Sequence, residues 1–241
     1  MHVTDIEFAA LDGVRLVGTL HLPERRPAPL VIGCHGLLSD RRSPKQIALA
    51  DACCRAGVAF FRLDHRGCGD SGGKLETDTS LEARCRDLLG AIGHMARRPE
   101  VAGPFGLFGS SMGGAVCLAV AARETVGPLV TFAAPVRSTP LLAAAAAPGV
   151  PAEMRRMADV LGPPFDLAPE LPNVRRLLVV HGEADPVVPV AHAREIYAAV
   201  GEPKRLVLQA GGDHLMSDPR HQQEFMHAAL RWLTARDVTG L

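Results

Sequence analysis

Six short, almost continuous apolar runs alternate with helical patterns along this chain, and that alternation constrains its fold more than any other feature. The runs cover residues 30–34, 58–63, 105–108, 129–133, 176–180 and 205–208. Strands without polar alternation are typical of parallel sheets covered on both faces by helices. The candidate helices cover 44–56, 81–97, 113–123, 190–200 and 219–235. The pattern predicts an α/β fold, a three-layer α/β/α sandwich around one doubly wound sheet with right-handed crossovers.

Two parts of the chain depart from this alternation. At the N-terminus, β-rich runs at 3–9 and 15–22 flank Asp12-Gly13, which predicts an antiparallel hairpin. Between about 136 and 174 the sequence is rich in proline and alanine and contains no predicted strand. A connection of this length is usually functional or a small subdomain. We interpret it as a small cap within a single domain that covers residues 1–241.

Composition narrows the classes of partner. Lys plus Arg equals Asp plus Glu at 26 each, without a basic stripe or an acidic block, so no nucleic-acid partner is expected. No apolar run approaches the ~18 residues of a membrane span, and the N-terminus lacks the pattern of a signal peptide. The six scattered cysteines are interpreted as reduced, buried thiols. We therefore expect a cytoplasmic protein with a small-molecule partner, as a monomer or a homodimer.

The strongest local motif is Gly109-Ser110-Ser111-Met112-Gly113, between the apolar run 105–108 and the helical pattern 113–123. This is the G-x-S-x-G pattern in its strand–turn–helix context. A nucleophile on such a sharp turn crowds the positions two before and two after it. Ser111 has glycine at both positions, whereas Ser110 would have Phe108 and Met112, so Ser111 is the predicted nucleophile. A helix-capping turn is the alternative, and a phosphate loop would need a lysine that is absent.

A serine nucleophile needs a base, itself oriented by a carboxylate, and in this motif's fold the chain order is Ser, then Asp or Glu, then His. Asp185 follows the run 176–180, in a loop at the carboxyl end of a strand. Glu183 is the competing carboxylate. Asp185 is preferred because Pro186 and Pro189 would rigidify its loop, although it could also cap the next helix.

The candidate base is His214, in a glycine-containing loop after the run 205–208. A lone loop histidine is usually a surface residue, but the Ser–Asp–His order favours a catalytic role here. Asp213 is interpreted as a turn former or polar neighbour. His221 and His227 fall on the terminal helix as surface or packing residues, and the histidines outside the motifs carry no signal.

The oxyanion of a tetrahedral intermediate needs preorganised donors. The backbone N–H of Met112, directly after the nucleophile, is the first candidate. The second is the backbone N–H of Leu37, in the loop after the run 30–34. Gly36 would let this backbone approach the site, and the His35 side chain is interpreted as structural.

Four of these motifs together resemble the α/β-hydrolase superfamily: His35-Gly36, Gly109–Gly113, His181-Gly182-x-x-Asp185 and Gly212-Asp213-His214. Residues 64–71 resemble the D-x-R-G-x-G-x-S turn that follows the fourth strand of that superfamily and is usually structural. Within it, the chain is similar to the feruloyl/cinnamoyl esterase-like and acylaminoacyl-peptidase-like (serine aminopeptidase S33-like) branch. The resemblance implies an eight-stranded sheet with an antiparallel second strand, no metal and no organic cofactor.

These features predict a serine hydrolase, and specifically a carboxylesterase that cleaves small to medium esters through an acyl-enzyme on Ser111. The cap and the loop ends supply apolar candidates for a pocket: Leu37, Pro135, Leu141, Leu142, Ala143–Ala147, Met154, Met157, Phe165, Val187 and Met216. These residues could instead only pack the cap onto the domain. A peptidase, a thioesterase and a non-catalytic binding protein are the alternatives. The small lid disfavours a lipase for long-chain lipids, and the serine disfavours an Asp-nucleophile dehalogenase.

Overall fold

The computed structural model describes residues 1–150 and 152–235. In these ranges the strands β1 to β8 are His2–Ala9, Arg15–Leu22, Ala28–Cys34, Ala59–Leu63, Val101–Ser110, Leu129–Phe132, Leu177–Gly182 and Lys204–Gln209. The helices α1 to α8 are Pro44–Arg55, Leu75–Asp78, Leu81–Met95, Met112–Arg123, Thr139–Ala145, Ala152–Val160, Ala191–Ala199 and Pro219–Thr234. A 3-10 turn, Leu171–Asn173, lies between α6 and α7.

One sheet contains these strands in the order β1-β2-β4-β3-β5-β6-β7-β8. β2 is antiparallel to both β1 and β4, and the other neighbouring strands are parallel. The predicted N-terminal hairpin and the antiparallel second strand are therefore confirmed. The chain steps from β3 outward to β4 and then returns to the other side of β3 as β5. At such a switch point the carboxyl ends of the strands open a crevice that binds ligands.

Different helices cover the two faces of the sheet. α3, α4 and α7 share one apolar core with the sheet, and nearly all of α4 is buried. α1 and α8 pack on the opposite face, where the Phe225 ring of α8 lies 5.6 Å from the Phe108 ring and 6.0 Å from the Phe132 ring. This is the predicted α/β/α sandwich. Within the described ranges, no helix combines the length and the apolar character that crossing a bilayer requires.

Most observed bounds lie within one or two residues of the predicted ones, and the largest difference is at β5. This strand begins at Val101, four residues before the apolar run, because its first part contains Gly103 and Pro104. The register between β3 and β5 shifts between Pro29 and Val31, opposite that irregular part. The short helix α2 was not predicted, because four residues are too few to show a helical period.

The long connection between β6 and β7 contains α5, α6 and the 3-10 turn, with one isolated bridge between Arg137 and Asp166. Two contacts hold its start to α7. The Nδ1 atom of His192 accepts a hydrogen bond from the Val136 N–H at 3.0 Å. The Arg137 guanidinium donates to both carboxylate oxygens of Glu195, at 2.8 and 2.5 Å. The histidine that carried no signal in the sequence is thus a buried anchor of this connection.

Candidate active site

Ser111 lies on the turn that joins β5 to α4, with φ 53° and ψ −122°. Left-handed φ values are uncommon outside glycine and mark strained positions that often have a functional role. The Ser111 N–H donates to the carbonyl oxygen of Phe132 on the neighbouring strand at 2.8 Å, which holds this conformation. Ser110, by contrast, is the last residue of β5 and pairs with Phe132 in the sheet. The structure thus places Ser111, and not Ser110, on the strained turn.

The two glycines of the motif leave space for this turn. A Cβ at Gly109 would overlap the carbonyl group of Gly113, and a Cβ at Gly113 would overlap the carbonyl group of Cys34. Both obstacles are backbone atoms, which cannot move aside as a flexible side chain could. Gly36 differs, because its Cβ would lie 3.6 Å from the Cβ of Ser111, an ordinary contact. The loop does approach Ser111 closely, but that approach does not require glycine at position 36.

The three candidate catalytic side chains form one hydrogen-bonded chain. His214 Nε2 lies 3.1 Å from Ser111 Oγ, and His214 Nδ1 lies 2.8 Å from Asp185 Oδ2. The residues come from loops after β5, β7 and β8, all at the carboxyl edge of the sheet. Asp185 is buried, whereas the His214 side chain is 13% exposed. This arrangement allows a proton to pass from the serine to the imidazole while the carboxylate holds the ring.

The Asp185 carboxylate is held by its own loop. Its Oδ1 atom accepts hydrogen bonds from the Val187 and Val188 N–H groups at 2.8 and 2.9 Å, while Oδ2 faces His214. His181 Nε2 lies 3.4 Å from Oδ2 and 2.8 Å from the Val188 carbonyl oxygen. Burial raises the pKa of Asp185, but these partners outweigh it and hold the pKa well below its usual value. The carboxylate is therefore ionised at neutral pH.

The other acidic residues of these two loops, Glu183 and Asp213, have partners of their own. Glu183 is exposed and lies 3.4 Å from the Arg194 guanidinium. Asp213 accepts the Ser217 N–H at 2.9 Å, which makes it a turn residue as predicted. The Met216 carbonyl oxygen accepts from the Gln222 side chain at 2.8 Å, and this contact ties the His214 loop to α8.

The candidate oxyanion donors, Leu37 and Met112, border the same small cavity beside Ser111. Within the described residues, neither N–H donates to a protein acceptor. The Gly36–Leu37 peptide is oriented from behind by Arg84, whose guanidinium donates to the Gly36 and Leu37 carbonyl oxygens at 3.2 and 2.9 Å. In a trans peptide the C=O and N–H point in opposite directions. Binding the Gly36 carbonyl therefore directs the Leu37 N–H the other way.

His35 supports the same peptide. Its Nδ1–H donates to the Gly36 carbonyl oxygen at 2.7 Å, and its Nε2 accepts the backbone N–H of His65 at 3.0 Å. Both contacts are satisfied by a neutral ring. Burial lowers the pKa of His35 well below its usual value, and the positive charges of the His65 and Arg84 side chains lower it further. This agrees with the structural role predicted for His35.

The turn at 64–71 is also structural. Asp64 is fully buried, and its carboxylate binds the Arg41 guanidinium. The same carboxylate accepts the Asp70 N–H at 2.9 Å. A Cβ at Gly69, where φ is +54°, would overlap the Asp64 carboxylate. Ser71 Oγ donates to the Asp64 carbonyl oxygen at 2.7 Å and accepts the Val17 N–H at 2.9 Å. These contacts join the turn to β2.

Arg84 and Lys45 lie beside the candidate site, and neither was predicted from the sequence. Arg84 is fully buried on α3, and Lys45 lines the cleft from the first turn of α1. A weak signal exists for Arg84, which falls three residues after Leu81 and four before Leu88, on the apolar face of its helix. Periodicity does not identify Lys45, because the first turn of a helix is usually solvated.

Two cavities meet at Ser111. The small one, about 40 Å³, is lined by apolar side chains of Leu37, Met112, Pro135, Leu141, Leu142, Ala145, Met154, Met157, Ala158, Leu161, Val187 and Val188. The larger cleft, about 680 Å³, extends past His214, Lys45 and the exposed Leu215. Eight of the predicted pocket residues therefore line the small cavity, and Phe165 lines neither cavity: the eight are Leu37, Pro135, Leu141, Leu142, Ala145, Met154, Met157 and Val187. Met216 lines the larger cleft.

The sheet order, the strained turn after β5 and the loops that meet there define an α/β-hydrolase. Comparison with known families is more specific: the model of the serine aminopeptidase S33 family matches residues 25–173. The chain belongs to that family, and it is a hydrolase.

The chain is also similar to three individual proteins. A monoacylglycerol lipase of Mycolicibacterium smegmatis is 27% identical over 273 residues, covering 95% of this chain and 96% of the lipase. The structure of a Pyrococcus furiosus esterase superposes with a TM-score of 0.83 at 20% identity, over 96% of this chain and 90% of that one. Est1E of Butyrivibrio proteoclasticus, solved with ferulic acid bound, gives 0.76 at 21% identity, over 95% and 97%. At these identities the two structures show the fold alone.

Proposed function

We propose that the chain is a carboxylesterase that cleaves small to medium esters through an acyl-enzyme on Ser111. The observation that carries this proposal is the hydrogen-bonded series from Ser111 Oγ through His214 to Asp185, with distances of 3.1 and 2.8 Å. Such a series supplies a nucleophile, its base and the group that orients the base. The small molecule that binds is then an ester, and catalysis needs no cofactor.

In the proposed mechanism, His214 Nε2 takes the Ser111 proton as Oγ attacks the acyl carbonyl. The negative charge that forms on the carbonyl oxygen is bound by the N–H groups of Met112 and Leu37. The imidazolium then gives its proton to the leaving alcohol, and the acyl group stays on Ser111. Water, activated by His214, repeats the attack and releases the acid. Asp185 remains ionised throughout and stabilises the imidazolium.

The two cavities suggest where the acyl group and the leaving alcohol of a substrate bind. His214 must protonate the leaving group, and His214 borders the larger cleft but not the small cavity. The leaving alcohol therefore belongs in the cleft, and the acyl group belongs in the small apolar cavity beside Leu37 and Met112. A cavity of about 40 Å³ suits a short acyl chain and would have to open for a long one.

The charged residues of the cleft favour an ester over a peptide, the substrate that the family name suggests. An aminopeptidase must bind the α-ammonium group of the N-terminal residue, which is the acyl part of its substrate, and this calls for a carboxylate on the acyl side. The residues lining the two cavities include Lys45 and neither Asp nor Glu. A buried ammonium without such a partner would be costly.

The segment 136–174 acts as the cap in this proposal. Its helices α5 and α6 contribute Leu141, Leu142, Met154 and Met157 to the wall of the small cavity. A short wall of this kind excludes water from the acyl carbonyl and limits acyl length. The cytoplasmic location stays a prediction, made from the cysteines.

A pair of adjacent serines provides the direct test. Ser111→Ala should lower kcat/KM for p-nitrophenyl acetate by at least about 10⁴-fold and abolish fluorophosphonate labelling. Ser110→Ala, one residue away, should keep most of both. A folded wild-type protein that resists labelling would favour a binding protein. Unchanged hydrolysis by Ser111→Ala would refute the nucleophile.

A substrate series then tests the reaction class. We expect kcat/KM for p-nitrophenyl esters to be highest with two to four acyl carbons and to fall for longer chains. A matched thioester and an amide of the same acyl group should be slower than the ester. A preference for the amide would establish a peptidase, and a preference for the thioester would establish a thioesterase.

A further inference from the structure

Lys45 occupies an unusual place in the larger cleft. It is the second residue of α1, and Ser43, Pro44 and Lys45 all line the cleft that contains Ser111 and His214. The side chain turns inward, so that Nζ lies 3.7 Å from the centroid of the Phe132 ring on β6. The Phe132 ring is fully buried, which means that the ammonium group reaches towards the core beneath the site.

The ammonium group has unused donors. Among the described residues, Lys45 Nζ makes no hydrogen bond to a protein acceptor and no ion pair within 4.0 Å. An ammonium group carries three N–H donors, and a cation–π contact satisfies none of them as a hydrogen bond would. The side chain is only partly exposed, so its contact with water is restricted to the cleft.

The lining of the cleft supplies no carboxylate that pairs with this charge. The titratable residues in its lining are His35, Lys45 and His214, with no carboxylate among them. Asp185 and Asp213 are near enough to act on Lys45 electrostatically. Asp185, however, is engaged by His214, and Asp213 accepts the Ser217 N–H. The positive end of the helix α1 dipole faces the same space and adds to the field.

We infer that Lys45 is a specificity-determining residue that binds an anionic group, such as a carboxylate, on the leaving-alcohol side of the ester. This inference rests on the proposed function of Ser111. It places the anion on the alcohol and not on the acyl group, because Lys45 and His214 border the same cleft while the small cavity is lined by apolar side chains.

The protonation of Lys45 agrees with such a role. Burial lowers the pKa of Lys45 to about 8, against the opposing effect of Asp213 and Asp185. Below that pH the free enzyme carries the cation, and above it the cation is lost. Both carboxylates stay ionised across this range, so they do not change the sign of the effect.

The test compares two acetate esters of nearly equal shape, 4-acetoxybenzoate and 4-acetoxybenzamide, and uses the ratio of their kcat/KM values. Lys45→Met should lower the anion-to-neutral ratio by about tenfold, the effect of one hydrogen bond to a charged group. Lys45→Arg keeps the charge and should retain at least half of the ratio. Lys74→Met, which removes an exposed lysine outside the cleft, should leave the ratio at the wild-type value.

The ratio separates this inference from the proposed function. If the wild-type protein hydrolyses neither ester, the proposed function fails and the inference fails with it. If both esters are hydrolysed and Lys45→Met leaves the ratio unchanged, only the inference is overturned. p-Nitrophenyl hemisuccinate, which carries its carboxylate on the acyl side, should show no dependence on Lys45. A dependence there would overturn the side assigned to the anion.

A second measurement needs no variant. In the wild-type protein the same ratio should fall as the pH rises from 7 to 9.5, with a midpoint near 8, because kcat/KM reports the free enzyme. Effects of pH that both esters share cancel in the ratio. A ratio that stays constant over this range would overturn the inference even if Lys45→Met did not fold.

Discussion

Two histidine–aspartate pairs among the described residues, His214–Asp185 and His65–Asp87, have different surroundings. In the first, His214 Nδ1 lies 2.8 Å from Asp185 Oδ2, at the edge of the cleft. In the second, His65 Nδ1 lies 3.3 Å from Asp87 Oδ2, and both side chains are fully buried beneath the loop after β3. The same two residue types, paired through the same ring nitrogen, thus occur at the candidate site and in the core.

The difference lies at the other ring nitrogen. His214 Nε2 faces Ser111 Oγ and the cleft, whereas His65 Nε2 has no hydrogen-bond partner among the described residues. The Asp87 carboxylate is also shared, because it accepts the Arg66 N–H at 3.0 Å and the Arg66 guanidinium at 2.7 and 2.8 Å. A histidine–aspartate pair therefore indicates catalysis only when its free nitrogen meets both a nucleophile and space for substrate.

Loss of the first carboxylate should have the largest effect. Asp185→Asn keeps the shape of the side chain but removes the charge that stabilises the imidazolium, and it favours the wrong tautomer of His214. We expect kcat for p-nitrophenyl acetate to fall by about 10⁴-fold. Glu183→Gln, the matched change on the exposed neighbour, should retain nearly full activity. If the two variants exchanged these results, Glu183 would replace Asp185 as the orienting residue.

The equivalent change in the second pair should affect stability and leave the chemistry intact. Asp87→Asn leaves His65 and Arg66 facing a neutral group in the core, which costs about 3 kcal/mol of unfolding free energy, as when one partner of a buried ion pair is removed. Urea denaturation measures this cost. Asp12→Asn, which removes the partly exposed partner of the same Arg66, should cost less than about 1 kcal/mol.

Activity of the folded fraction distinguishes the two pairs. At low urea, Asp87→Asn should keep kcat within a few-fold of the wild-type value, since His65 does not reach Ser111. A loss of kcat comparable to that of Asp185→Asn, in a protein that remains folded, would show that the buried pair takes part in the chemistry.

The smallest expected effect concerns the pH dependence of stability. The folded protein keeps His35 neutral, because its pKa is lowered, whereas the unfolded chain protonates this ring below its usual pKa of ~6.5. Acid therefore favours unfolding through His35. Between pH 7 and pH 5 the wild-type protein should lose about 2 kcal/mol more unfolding free energy than His35→Gln. Urea titrations at both pH values measure the difference, and equal losses would contradict a neutral His35.

Sequence analysis predicted those features whose determinants lie close together along the chain. The doubly wound α/β fold was predicted from the apolar runs, and the eight-stranded sheet with an antiparallel second strand was implied by the resemblance of four motifs. Ser111 could be separated from Ser110 because the steric requirement extends only two residues in each direction. The loop positions of Asp185 and His214 likewise depend only on the strand that precedes each one.

The remaining features depend on contacts between distant parts of the chain. Arg84 reaches a carbonyl oxygen 48 residues away, and His65 meets Asp87 across 22 residues, only after α3 packs on the sheet. No local pattern marks such partners in advance. The course of the segment 136–174 was equally unpredictable, because its anchors on α7 are His192 and Glu195, far along the chain.

The six cysteines can report local opening of the folded structure. All six thiols are free and buried, distributed over β3, α1, the turn at 64–71, α3 and α4. A thiol reagent in water must therefore wait for the structure around each sulfur to separate. The alkylation rate of each cysteine would rank these parts of the core by how often each one opens locally under native conditions.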